Sequence, residues 1–512
     1  MERRSYENWS RMIRVDDVLT ATPTTDDEAL EIVRWAADRG LRVRPVGAFH
    51  TWSPLAFDEP AGIVAIDQSR MTGLIDFSID PVPAATFRAG TTLADALREL
   101  EMIDNAGASE APGWAWPDYP GVREVTLGGM LAIGAHGAGV RTRADQADLF
   151  GTVSNLVLGF RAIVSEAGTY VIREFRRDDP DSGALLVHLG AAYLLSVTMR
   201  VVPNCYVGRR VEYPDWEVAY GPTAGEGSLQ ALVEEHGRVQ ALWFPFTKTP
   251  VVQHFTEEPF VEGPRVTEPL TVRLSPDLPK AFTGMFTQAL AHLPWLTPLV
   301  ERRVLAEMRH LSPPDQEWHG TSGNMLLYVQ QDTLRVVSLA YAVHVRRDQL
   351  QEAVHDLAGH FDRMLHDYAA AGHDPINSCL EMRVTDVDRP EALGLPGAVP
   401  ALLSAGLPIN GSERIIWFDL VTTPGMPLAW QFYAEFESWL WDRFPGSLCP
   451  EWSKAWAVSA DGPWTDEAVL ARARARVMPA VEIWDRLDDR GVYGSPLLDG
   501  LRQSSRAKTN TP

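Results

Sequence analysis

Between Arg44 and Leu55 the chain reads RPVGAFHTWSPL: a strand that delivers a proline, turns at Gly47 and presents His50 just beyond the turn. Backbone amides of such a turn can gather around the oxygens of a pyrophosphate, and a histidine placed there faces a ligand rather than a core. A single histidine is as readily structural, and on the residues alone both readings stand. The flanks narrow the fold. Thr24, Thr25 and Asp26 precede the amphipathic stretch DEALEIVRWAADRG, with Thr25 or Asp26 as cap and Gly40 as stop. LRVRPVG, GIVAIDQSR and ATFRAGTTLADALREL then continue a strand and helix alternation with short connections. This predicts one compact domain over residues 10–205. Within it, residues 108–140 form a Pro/Trp-rich loop followed by a run of small residues, with glycines at 128, 129, 134, 137 and 139. The run has neither the GxGxxG spacing after a strand nor GxxxxGK[ST], so it is neither a dinucleotide fingerprint nor a P-loop. Close packing and a ligand loop remain open for it.

Beyond Pro203 and Asn204 the pattern changes. QALWFPFT, NMLLYVQ, LRVVSLAYAVHV, SCLEMRVTDVD and RIIWFDLVTT read as strands, interleaved with helical stretches such as DQLQEAVHDLAGHFDRMLHDYAAAG. The expected fold class is α+β: the first domain, a second domain over 206–435 with a large antiparallel sheet, a helical segment over 436–500 that returns to the first domain, and a disordered tail over 501–512. Glu381 and Arg383 alternate on one strand and project from one face; an ion pair holding the sheet and a reactive pair are both consistent with that.

Net charge narrows the partners. The formal charge is −22, which repels phosphate backbones and anionic lipid surfaces, so no nucleic acid is expected. No apolar run is long enough for a spanning helix. The N-terminal residues carry basic side chains with no apolar stretch after them, and a cytoplasmic chain is expected. Cys205, Cys379 and Cys449 are far apart and form no ligand cluster, so neither a disulfide framework nor a metal site is expected.

Taken together, these segments resemble the vanillyl-alcohol-oxidase-type FAD flavoproteins, and among them the covalent (type II) cholesterol oxidase group. RPVGAFHTWSPL is similar to their FAD-attachment loop. TLGGMLAIGAHG, GTVSNLVLGF and LLSVTMRVVPN follow in order, and VQALWFPFTKTP, CLEMRVTD, PEWSKAWA and YGSPLLDGL extend the likeness over nearly the whole chain. The resemblance implies an FAD-binding domain of two α+β subdomains, under a substrate domain whose sheet roofs the flavin ring. It implies covalent FAD through His50, monocovalent because no cysteine lies between His50 and Cys205. Gly47, Ala48, Phe49, Thr51 and Ser53 would line the pyrophosphate; Thr126, Gly128, Gly129, Gly134, His136 and Gly137 would supply a second set of contacts. Glu381 is then the base and Arg383 its partner, with Lys454, Glu451 and Asp419 near the ring. Where the steroid-oxidising relatives carry a glutamate before WFPF, this chain has Gln240, whose neutral amide cannot form their charge pair with Arg383. The implied reaction is oxidation of a hydrophobic, sterol-like secondary alcohol to a ketone, with O2 reduced to H2O2. The alternatives are a flavin dehydrogenase using another acceptor and a carbohydrate or biosynthetic-intermediate oxidase.

Overall fold

The computed structural model describes residues 1–144, 146–268, 291–329 and 335–506. Two small sheets make up the first part. Strands β1 (Glu2–Glu7) and β2 (Arg14–Ala21) form an antiparallel pair, so the sheet begins before residue 10, where the sequence reading started the domain. Helix α1 (Asp26–Ala37) buries Ala29, Val33, Ala36 and Ala37, one face at helical spacing, and the Thr25 hydroxyl caps it by accepting from the Glu28 amide. Strands β3 (Arg42–Val46) and β4 (Ile63–Asp67) run parallel to each other, giving the order β1-β2-β4-β3.

Strands β5 (Leu74–Ser78) and β6 (Ala84–Arg88) open the second sheet. Helix α2 (Leu93–Glu101), the two-residue strand β7 (Trp114–Ala115) and helix α3 (Leu127–Ile133) follow. The sheet is completed by β8 (Val157–Glu166), β9 (Thr169–Arg176) and β10 (Tyr193–Arg200), in the antiparallel order β5-β6-β10-β8-β9, and β11 (Val202–Pro203) pairs with β7.

The largest of the four sheets has eight strands, in the order β15-β12-β14-β13-β17-β18-β16-β19. They are β12 (Tyr206–Glu212), β13 (Arg238–Trp243), β14 (Val251–Glu258), β15 (Trp318–Thr321), β16 (Val337–Val345), β17 (Leu380–Asp386), β18 (Arg414–Thr422) and β19 (Leu448–Pro450). β16 and β18 are buried at all nine positions, so both faces of the sheet centre are covered. On one face Phe418 packs on Phe436, and Phe361 on Phe432, from the helices Leu350–Ala370 and Ala429–Arg443. The opposite face carries Gln240, Glu381, Arg383 and Asp419.

Three expectations change. NMLLYVQ is not a strand: Ser322–Leu326 is helical, and Val329 makes only an isolated bridge to Val122, while Gln330 lies outside the described residues. Its apolar side chains instead pin the 120–123 loop, the Tyr328 ring lying where a Cβ on Gly121 would be. Within residues 436–500, Leu448–Pro450 stays in the large sheet as β19. The rest reaches the first part through the helix Glu467–Leu487, where Trp484 Nε1 donates to Ala184 O (2.8 Å), and through Tyr493, whose hydroxyl donates to Ile163 O (2.9 Å). The helix Pro496–Arg506 occupies the first residues of the stretch read as a tail; residues 507–512 lie outside the described ones. Among the described residues no helix is long and apolar enough to cross a membrane.

Candidate active site

β3 delivers the chain to the glycine turn. Gly47 and Ala48 are exposed on a cleft of about 220 Å³. A Cβ at Gly47 would stand 2.3 Å from Thr126 Oγ1. That oxygen is not free to move, because it caps α3 by accepting from the Gly129 amide (3.2 Å). Among the described residues the backbone amides of Ala48, Phe49 and His50 donate to nothing, which leaves consecutive donors at the cleft. Phe49 takes a positive φ of 52°, and its ring packs on Tyr6 and Phe57. From below, the buried Arg44 guanidinium donates to the carbonyls of Leu55, Ala56 and Gly190, fixing both ends of the loop. Sequence reasoning missed Arg44, although it opens the motif.

His50 lies between Trp9 and Trp52, its ring centroid 5.0 and 6.0 Å from theirs. Burial, and then Lys454 and Arg335, push its pKa down to about 3, so the imidazole is neutral. The loop is stapled to the turn after β19. Trp52 N donates to Ser453 O (2.7 Å), Thr51 Oγ1 to the same carbonyl (3.2 Å), and Lys454 Nζ sits 4.2 Å from the centre of the Trp52 ring.

Gly47, Ala48, Phe49, His50, Thr51, Thr126, Gly129 and His136 all line the cleft, together with Arg383, Glu451 and Lys454. Ser53, Gly128, Gly134 and Gly137 do not, and each has another task. Ser53 is buried and donates to Trp452 O (2.8 Å). Gly128 passes close to Ala89, Gly134 ends α3 in the left-handed region, and Gly137 passes so close to Asp118 that a Cβ there would overlap its carboxylate.

The large sheet brings the charged residues together. Asp419 is central: Oδ1 accepts from Lys454 Nζ (2.7 Å) and Ser338 Oγ (2.7 Å), and Oδ2 accepts from Arg383 Nη2 (2.7 Å). Burial alone would raise its pKa, but Lys454 and Arg383 outweigh burial and hold the carboxyl below its ordinary range. Arg383 Nε forms an ion pair with Glu381 Oε1 at 3.0 Å without a hydrogen bond, and that oxygen accepts from Gln240 Nε2 (2.7 Å). Glu381 Oε2 has no hydrogen bond among the described residues. Glu451 Oε2 is buried with no hydrogen bond, 3.7 Å from His136 Nε2. His136 stacks on Trp417 at 3.6 Å and meets Gly137 O through Nδ1. All six sequence-proposed catalytic residues, Glu381, Arg383, Asp419, Glu451, Lys454 and Gln240, thus fall in one cluster. Ser338 was not anticipated: a serine in an apolar strand carries no signal until Asp419 is known to face it.

Two stretches of the chain match known families. Residues 19–171 match the family described as FAD binding domain, and residues 208–502 the family described as cholesterol oxidase, substrate-binding. A solved structure named solvent-stable cholesterol oxidase superposes with a TM-score of 0.90 at 30% identity, covering 98% of this chain and 97% of that one. The cholesterol oxidase from B. sterolicum gives the same TM-score and coverage at 26% identity. L-gulonolactone oxidase 3 from Arabidopsis thaliana is 27% identical over 287 residues, 54% of this chain and 44% of that protein. The chain spans about half the length of the curated relatives it matches.

Proposed function

The chain belongs to the FAD-dependent oxidoreductase family that joins an FAD-binding domain to a substrate-binding domain of the cholesterol oxidase type, and on that footing we propose that it oxidises a secondary alcohol on a hydrophobic, sterol-like or polycyclic compound to a ketone, with O2 reduced to H2O2. The residues present fit FAD. Undonated amides at 48–50 and the close Gly47–Thr126 contact form a cradle for a pyrophosphate. His50, neutral and without a hydrogen bond among the described residues, is the point we assign to covalent attachment. Thr51, Thr126, Gly129 and His136 complete the cofactor wall.

A bound FAD would supply the acceptor for the hydride of the carbinol carbon and the route by which both electrons reach O2. The observation that carries the reading is the cluster around Glu381. Its Oε1 is held by Gln240 and Arg383, and its Oε2 is free to take the substrate hydroxyl proton. Arg383 and Lys454, both anchored on Asp419, place positive charge where negative charge develops on the substrate oxygen and across the ring. Beside this cluster, Leu242, Val251, Cys379 and Val421 pack with Val304, Leu305 and Met308 into an apolar cluster, so the surroundings of Glu381 on that side are apolar, in keeping with an apolar substrate.

A second reading, oxidation of a sugar lactone, is supported by the lactone-oxidase names of the relatives and by the run of polar side chains on β12, β14 and β13 next to Glu381. The experiment is a substrate panel of sterols, other polycyclic alcohols and aldonolactones, measuring peroxide under air and dye reduction under argon. The proposal expects peroxide with a polycyclic alcohol. Turnover of lactones alone moves the chain to the second reading, and dye reduction without peroxide makes it a dehydrogenase. Acid precipitation tests attachment: flavin should stay with the polypeptide and be released from His50→Ala. Full release from the wild type contradicts the covalent bond.

A further inference from the structure

Gln240 is the one member of the cluster where the chain departs from the charged pattern its sequence resembles, and its surroundings explain what it does. The Arg209 side chain is 4% exposed, on β12; Nε and Nη2 donate to Gln253 Oε1 on β14 at 3.0 and 2.8 Å. Gln253 Nε2 donates to Gln240 Oε1 (2.8 Å), and Gln240 Nε2 donates to Glu381 Oε1 (2.7 Å). Sheet order makes this file continuous, because β12, β14, β13 and β17 are neighbours and Gln240 stands opposite both Gln253 and Arg383 in the register. An amide can face either way, whereas a guanidinium only donates. With both donors of Arg209 on its oxygen, Gln253 must present its NH2 to Gln240, and Gln240 must then present its NH2 to Glu381.

We propose that Arg209, acting through Gln253 and Gln240, is a positioning residue that sets the polarity of this file so that Glu381 receives a donor and is kept as a proton acceptor. The inference rests on the reading of Glu381 as the base. Without Arg209 both amides can turn over, Gln240 Oε1 then faces Glu381, and that arrangement is tolerated only when Glu381 carries a proton to donate. The other groups around Glu381 are Arg383 on its own strand, Asp419 on β18, Lys454 and Glu451 from the turn after β19, His136 behind Glu451, and Tyr328 from the loop after β15. Of these, Tyr328 also interacts electrostatically with Arg209; the file can be altered while all of them stay in place.

The test uses the flavin-loaded protein and two variants. Arg209→Met removes the donor. Gln253→Glu keeps an oxygen for Arg209 but offers no donor to Gln240, reversing the file at nearly constant shape. Difference infrared spectra of each variant against the wild type, which need no substrate, should show an added protonated-carboxyl stretch in both variants. The band should vanish when Glu381→Gln is added, and Arg209→Lys, which still donates, should restore the wild-type spectrum. The acid limb of anaerobic flavin reduction should move up by about one pH unit, a loss of about tenfold at a fixed pH below it, the scale of one hydrogen bond to a charged group. Unchanged spectra and an unchanged limb in both variants, with flavin content intact, overturn the inference. If the spectra change as expected while Glu381→Gln reduces its flavin at the wild-type rate, the file stands and the assignment of Glu381 as base falls.

Discussion

At the scale of single residues, close approaches and the atoms that face one another shape the cleft. Gly47 is the clearest case. A methyl group there would press on Thr126 Oγ1, which the start of α3 holds in place, so either the turn or the helix cap must move. Gly47→Ala should therefore lower flavin occupancy several-fold while the protein still folds, read as the ratio of flavin to protein absorbance. Arg383→Lys keeps the charge but loses the planar fork that meets Asp419 and Glu381 together, so flavin content should hold while flavin reduction slows; equal rates would reduce Arg383 to a source of charge. Much at this scale was legible in the sequence. Glu381 and Arg383 were placed on one face by their spacing, and the GAFH turn marked the cleft. Ser53, Gly128, Gly134 and Gly137 were not separable from true lining residues. A serine that donates to a neighbouring carbonyl reads the same as one that faces a ligand, and a glycine reads the same whether it makes room for Asp118 or for a cofactor.

At the scale of elements, the strands set what can meet. The file from Arg209 to Glu381 was invisible in sequence because it follows the spatial order β12-β14-β13-β17, and that order brings residue 240 beside residue 383. NMLLYVQ failed for a related reason: an apolar run is ambiguous until its partners are known, and here it is used to pin a loop. The segment after helix Ser182–Leu185 offers a test of burial. His188 is buried, its Nδ1 accepts from the Gly190 amide (3.1 Å), and Gly190 O in turn holds Arg44 under the 47–55 loop. Burial, then Arg44, lower the His188 pKa to about 3 from 6.5. As pH falls below about 6.5 the unfolded chain takes up a proton that the folded chain refuses, so stability drains away toward pH 3. His188→Asn keeps an acceptor for Gly190 and removes the titration. Its melting temperature should gain on the wild type as pH is lowered from about 6.5 to about 4; a constant difference across that range contradicts the linkage.

At the scale of the whole molecule, two parts of the chain meet at one cleft. The first part supplies the cradle and His50. The large sheet supplies Arg383 to the lining of the cleft, with Glu381 and Asp419 paired to Arg383, and the short turn after β19 ties the two parts together through Trp52, Ser453 and Lys454. The role proposed for this junction is oxidation of an alcohol with Glu381 as base. The most direct measurement is the rate of anaerobic flavin reduction by the substrate that the panel identifies, for wild type against Glu381→Gln, with flavin content measured in both. Removal of a positioned base should slow reduction by about 10²–10⁴ while flavin content stays equal. A Glu381→Gln protein that reduces its flavin as fast as the wild type would contradict the claim and leave Glu381 and Arg383 as an ion pair that merely holds the sheet.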